Sequence, residues 1–234
     1  MSLEPDDTAL PALRVGYVPG VTLTRWRRVW AERLPQATLE VMELPQAGQR
    51  QALEAGRVDV CFVRLPVERD GLHLIRLYDE VAVVVAPKDH PVAAFDHLTL
   101  ADLAGEPRVP DGPDAFDRVA WGAGVLVVPH SVARSKSRRD LIAVPLTDAE
   151  PTTIGLAWLV TAPASRVTDE GVARGREELI EEFVGIVRGR TANSSRTAAA
   201  RAKQEPATPK ARRPAPTRKT AGHHGARRRR PRSS

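Results

Sequence analysis

The first sixty or so residues alternate short apolar runs with spaced apolar repeats. Leu13 to Val18 (LRVGYV) predicts a buried strand, closed by the turn Pro19-Gly20. Leu23, Trp26, Trp30 and Leu34 then recur at helical spacing, which puts them on one face. Thr22 stands where an N-cap belongs, and Pro35 ends the segment. Thr38 to Leu44 (TLEVMEL) alternates like a half-buried strand. Gln46 to Ala55 predicts a short helix, with Gly56 at the left-handed position beyond its end. Val58 to Arg64 follows as another buried strand. Strand, helix, strand, helix, strand is the pattern of an α/β unit with parallel strands.

The pattern continues less regularly. Leu72 to Leu77 leads into the apolar run Glu80 to Ala86 (EVAVVVA), which Pro87 to Pro91 breaks. Leu98 to Leu103 predicts one helical turn capped by Thr99, and Asp111 to Trp121 a helix followed by Gly122 and Gly124. Val125 to Val128 is a strand closed by Pro129, and Ser131 to Arg134 starts a short helix. Leu141 to Leu146 and Thr153 to Val160 are further strands. Glu170 to Val187 carries Leu179, Ile180, Phe183, Val184 and Val187 on one helical face, with acids opposite. Beyond Gly189 large apolar residues almost vanish, so the tail cannot bury enough surface to offset its ordering entropy. It is expected to be disordered.

Charge sharpens this division. The net +6 of the 234 residues is a sum of opposites. Arg190 to Ser234 holds 14 Lys or Arg and one acid, Glu205, for +13; the rest holds 21 basic and 28 acidic residues, for −7. A mildly acidic body with a strongly basic arm points to a folded domain plus a polyanion-binding segment. One cysteine, Cys61, excludes an internal disulfide and points to a reducing cytoplasm. The acidic N-terminus has no signal-peptide pattern, and the longest apolar run, Val81 to Pro87, is too short to span a bilayer.

The order of features resembles the effector-binding domain of LysR-type transcriptional regulators. LRVGYVPGVTLTRWRRVWAERLPQATLEVMELPQAGQRQALEAGRVDVCFVRLP is similar to the first half of that domain. Within it, ALEAGRVDV fits the family's recurring L-x-x-G-x-x-D pattern. LYDEVAVVVAPKDHPVA resembles the crossover segment, and WGAGVLVVPHSVAR the G-x-G-apolar-P stretch of the second lobe. The resemblance covers roughly Leu13 to Arg190. It implies a two-lobed, periplasmic-binding-protein-like α/β fold. Lobe I would take about 13–83 and 155–190, a shortened lobe II about 84–154, after an N-terminal extension of residues 1–12 and before a tail of 191–234. A small ligand would sit between the lobes, outside the strand ends. Dimerisation through lobe edges is implied as well. Two departures stand out. About a dozen residues precede the first strand, so the family's helix-turn-helix is expected to be missing. Only Arg108 to Pro113 (RVPDGP) occupies the place of a strand, a helix and another strand in lobe II.

Candidate ligand contacts follow from that placement. Pro19, Gly20, Val21 and Thr22 form one lip, offering backbone N–H groups and a hydroxyl. Arg64, with Pro66 just beyond it, ends its strand at the cleft, where its guanidinium could hold a carboxylate in two parallel bonds. The competing reading is a surface ion pair with Glu68 or Asp70. Pro129, His130 and Ser131 form the lip of lobe II. His130 and Ser131 are not read as base and nucleophile, because chain neighbours rarely face each other and no third group orients the histidine. Cys61 reads as a small buried hydrophobe. His223 and His224 alone fall short of a metal site, and no cofactor motif occurs.

In the tail, Lys210, Arg212, Arg213, Arg218, Lys219, Arg227, Arg228, Arg229, Arg230 and Arg232 lie among prolines with no aromatic to stack bases. They are suited to phosphate contacts, without sequence selectivity, on DNA or RNA. The expectation is a non-enzymatic, cytoplasmic or nucleoid-associated LysR-like sensor of a small anionic metabolite, with an arm that holds nucleic acid loosely and no membrane partner. The alternative is a nucleoid-associated or RNA-binding scaffold without a small-molecule ligand.

Overall fold

The computed structural model describes residues 12–161 and 170–189, which lie within one compact unit. Residues 1–11 and the basic tail, with every tail contact proposed above, lie outside the described residues. The chain begins with β1 (Ala12–Tyr17), α1 (Thr24–Arg33), β2 (Thr38–Glu43), α2 (Gln49–Glu54), β3 (Val60–Arg64) and β4 (Leu72–Glu80). It continues with β5 (Ala82–Pro87), α3 (Ala115–Ala120), β6 (Leu126–Pro129), α4 (His130–Ser135), β7 (Leu141–Pro145), β8 (Thr152–Leu159) and α5 (Glu170–Val187).

Two sheets result. The first has the order β2-β1-β3-β8-β4. Its first three strands are parallel, with Val15 opposite both Val41 and Val60. The returning strand β8 runs antiparallel between β3 and β4. The second sheet is antiparallel, in the order β6-β5-β7. The chain crosses from the first sheet to the second at Val81 and returns between β7 and β8. Val83 belongs to the second sheet and Ile154 to the first, so the expected lobe divisions at 83/84 and 154/155 each fall inside a strand. Strand pairing, which the chain's apolar pattern does not encode, moves them by a few residues.

β3 is buried along its whole length because it lies mid-sheet between two covered faces. Its side chains alternate, Val60 and Phe62 toward α1 and α5, Cys61 and Val63 toward α2. Phe62 stacks on Trp26 with ring centres 4.5 Å apart and meets Phe183 edge-on at 6.1 Å. The Trp30 indole donates to the Ala37 carbonyl at 2.9 Å, which satisfies its polar end inside this cluster. Burial pushes the Cys61 thiol up to about 12, so it stays protonated.

In lobe II the apolar strand β5 is covered on both faces. Val83 and Val85 pack with α3 and α4, Val84 and Ala86 with the turn around Leu98 and Leu103. The RVPDGP stretch supplies a single parallel bridge, Arg108 to Val125, before α3. α3 starts at Ala115, four residues later than the Asp111 expected, after Gly112-Pro113. Thr99 stands one residue before the N-cap of its turn, Leu100, and still braces it: the Asp102 N–H donates to Thr99 Oγ1 at 3.3 Å, and the Thr99 N–H to the Asp102 carboxylate at 2.7 Å. That bond, with a second from the Thr99 hydroxyl, holds the Asp102 carboxyl below its usual range. Thr22 is not an N-cap either. α1 starts at Thr24, its N-cap is Leu23, and no side chain caps it.

Candidate functional site

Arg64 ends β3 as a charged residue that is only 3% exposed. A guanidinium so desolvated needs a partner. Glu80, the last residue of β4 and itself buried, supplies it. Nε and Nη2 of Arg64 donate to Glu80 Oε2 at 3.0 and 2.8 Å, and Nη2 also donates to the Pro19 carbonyl at 2.9 Å. Gln49 fixes the backbone behind this pair: its Nε2 donates to the Arg64 carbonyl at 2.9 Å, and its Oε1 accepts from the Arg64 N–H at 3.0 Å. The other Glu80 oxygen accepts a short hydrogen bond from Ser131 Oγ, at the start of α4. One carboxylate thus joins the end of β3 to lobe II. The surface pair with Glu68 or Asp70 does not form. Glu68 instead accepts from the Arg69 N–H at 2.8 Å, and Arg50 binds the carbonyls of both residues. Tyr78 lies close enough to feel the pair. Burial raises its phenol above the ordinary value, Glu80 adds to this, and Arg64 opposes it.

The two lips touch. Gly20 adopts φ +92°, and a Cβ there would come within 2.9 Å of the Ser131 carbonyl carbon and the Val132 nitrogen. Both the conformation and the space require glycine. Gly20→Ala should therefore destabilise the protein by about 1–3 kcal/mol, the usual range for overpacking. Urea unfolding monitored by tryptophan fluorescence checks this; an unchanged midpoint would mean that the lips part freely.

Beside the lips lies an interlobe cleft of about 710 Å³. Pro19, Glu43 and Arg64 line it from lobe I, and Phe116, Val132 and Lys136 from lobe II. Arg64 is held but not exhausted, since its Nη1 makes no hydrogen bond among the described residues. Lys136 likewise has no side-chain partner among them. Arg138, also on the wall, is committed to Asp117 at 2.5 Å and to Asp140 at 2.8 Å. These bonds raise the Arg138 guanidinium and lower the Asp140 carboxyl from their ordinary values.

The residues expected at the site are dispersed. Pro19 and Arg64 line the cleft. Gly20 and Ser131 form the contact between the lips. Val21 is buried in the lobe I core, and Thr22 is exposed outside the lining. Pro66 follows a cis bond and borders a separate groove of about 270 Å³ with Arg76 and Thr153. Pro129 pairs with Ala82 in the sheet, and the exposed His130 donates its N–H to the Val81 carbonyl at 2.8 Å. The sequence pattern missed Glu80, although a carboxylate heading the apolar run Val81 to Ala86 is a recognisable signal. It also missed Glu43, Asp111, Phe116 and Lys136, which only the folded lobes bring together.

Among the described residues no helix is long and apolar enough to cross a membrane, and no group of three or more His, Cys, Asp or Glu could hold a metal ion. The family model described as the LysR substrate binding domain matches residues 10–118. The HTH-type transcriptional regulator CatR of Pseudomonas putida is 29% identical over 170 residues, 58% of this chain and 58% of CatR. The Hca operon transcriptional activator HcaR of Escherichia coli K12 is 32% identical over 135 residues, 56% of this chain and 44% of HcaR. The chain spans about half the length of the curated relatives it matches. The BenM effector binding domain with its effector benzoate superposes with a TM-score of 0.55 at 22% identity, covering 77% of this chain and 95% of that one. The reduced form of the OxyR regulatory domain from Pseudomonas aeruginosa gives 0.54 at 21% identity, over 72% of this chain and 98% of that one. These superpositions establish the two-lobed, periplasmic-binding-protein-like fold.

Proposed function

We propose, from the match of residues 10–118 to the LysR substrate binding domain and the fold shared with effector-binding domains, that the chain is the sensing part of a transcription regulator, taking a small carboxylate-bearing effector between its lobes. The interlobe cleft carries this reading, because it offers Arg64 Nη1 and Lys136 as donors and Phe116 as an apolar wall. The effector of BenM, benzoate, is itself a small carboxylate. The curated relatives are regulators, and no catalytic role is proposed for this chain. Thermal unfolding of the full chain with benzoate and other small carboxylates at millimolar concentration tests the reading. A ligand at a hundred times its Kd should stabilise by about 2.7 kcal/mol, and Lys136→Ala should weaken the effect. No stabilisation by any small carboxylate would refute it.

A second reading draws on Glu80. Its carboxylate occupies the guanidinium edge that an effector was expected to take, and it ties the lips together. On that reading the domain is a scaffold, and only the arm recognises a partner. For the arm we propose salt-sensitive nucleic-acid retention through the basic residues from Lys210 to Arg232. With about ten phosphates contacted, affinity should fall by roughly 10³ to 10⁵ between 50 and 200 mM salt. An electrophoretic assay of the full chain against a chain lacking residues 191–234 decides this. Retention unchanged by the deletion would remove the arm from the proposal.

A further inference from the structure

The effector reading leaves two charges of the cleft unexplained. Glu43 ends β2 on the lobe I wall, and Asp111 precedes α3 on the lobe II wall. Neither carboxylate has a hydrogen bond or ion pair among the described residues, in contrast to Asp117, which Arg138 neutralises. Each lobe therefore brings one uncommitted carboxylate and one cationic donor: Glu43 and Arg64 Nη1 from lobe I, Asp111 and Lys136 from lobe II. Arg64 is buried and locked by Glu80, so its guanidinium is held in one orientation at the edge of the cleft, with both N–H groups of Nη1 uncommitted among the described residues. The pair it forms with Glu80 is neutral overall, so it adds no excess positive charge to the cleft.

A purely anionic effector entering this space would satisfy the two donors and meet two unneutralised carboxylates. Like charges brought together in a cleft with low-dielectric walls repel more than they do in water. A cation would have the opposite difficulty with Lys136. Only a ligand that carries both signs answers all four groups.

Resting on the effector reading, we infer that the cleft selects an amphoteric effector, with one carboxylate and one protonated amine or guanidinium on a compact apolar body. The carboxylate faces Arg64 Nη1 and Lys136, the cation faces Glu43 and Asp111, and the apolar part lies against Phe116 and Val132. Selectivity then comes as much from what the acids reject as from what they bind.

Two matched ligand sets test this on the full chain by calorimetry and thermal unfolding. One is L-phenylalanine, 3-phenylpropanoate and 2-phenylethylamine; the other is L-leucine, 4-methylpentanoate and isopentylamine. Within a set the apolar body is constant and only the charged groups change. In at least one set the amino acid should bind about tenfold tighter than its acid, and the amine should bind weakest. The double variant Glu43→Gln, Asp111→Asn should erase that advantage and leave the plain acid bound as well or better. Both residues are exposed, so the variant is expected to fold. An acid that binds as tightly as its amino acid, or an advantage that survives the double variant, overturns the inference but leaves the carboxylate reading standing. No binding by any of the six compounds overturns the inference, and the carboxylate reading falls with it if benzoate and the other small carboxylates also fail to stabilise the chain.

Discussion

Glu80→Ala is expected to cost about 3–5 kcal/mol of stability, the range for stripping one partner from a buried ion pair. The reason is what remains. Arg64 would keep its charge in a site where it is 3% exposed, with the Pro19 carbonyl as its one remaining side-chain contact among the described residues. Ser131 would lose its acceptor, and the tie between the end of β3 and lobe II would go with it. The loss should be far smaller for the double variant Arg64→Met, Glu80→Leu, because apolar residues of similar volume remove the stranded charge. Urea unfolding of the three proteins decides the matter. A loss below about 1 kcal/mol for the single variant, the range of an exposed pair, would mean that Arg64 swings out to water.

Phe62→Ala should cost about 3–5 kcal/mol, as large-to-small changes at fully buried aromatics do. Phe62 is fully buried in the central strand and bridges α1 through Trp26 and α5 through Phe183. Removing its ring opens a void that three elements share, so none can close it alone. Phe62→Leu keeps most of the volume and should cost less than about 1.5 kcal/mol. Phe95→Ala is the control: that ring is 55% exposed, and the change should stay within about 0.5 kcal/mol. Chemical denaturation gives all three values; similar losses at Phe62 and Phe95 would refute the packing account.

Lobe I was largely legible because its signals are local. The spacing of Leu23, Trp26 and Trp30, the all-apolar β3 and the left-handed Gly56 each report a condition met within a few residues. α5 matches its predicted bounds, since its apolar stripe is long and regular. The site was less legible because its defining contacts are distant in the chain. Arg64 and Glu80 are 16 residues apart, and Ser131 lies 51 beyond Glu80. Apolar periodicity locates strand tips but is silent on which charge answers which. For the same reason the sequence offers Arg64 an effector's carboxylate or, as the competing partner, nearby Glu68 or Asp70, and not the acid on the next strand of the chain. Thr22 misled because a capping residue type one position early looks the same in sequence as one in register.

The protected Cys61 thiol is the only sulfhydryl of the chain, and it sits where the central strand faces α2. An alkylating reagent reaches it only when that part of the sheet comes apart, because a thiol so far from ionising has almost no nucleophilic form while enclosed. Its labelling rate therefore measures how often the middle of lobe I opens, read from one mass shift on an unmodified protein. Solvent exposure at the periphery leaves that rate untouched, so loosening of the lips and melting of the sheet become separable events.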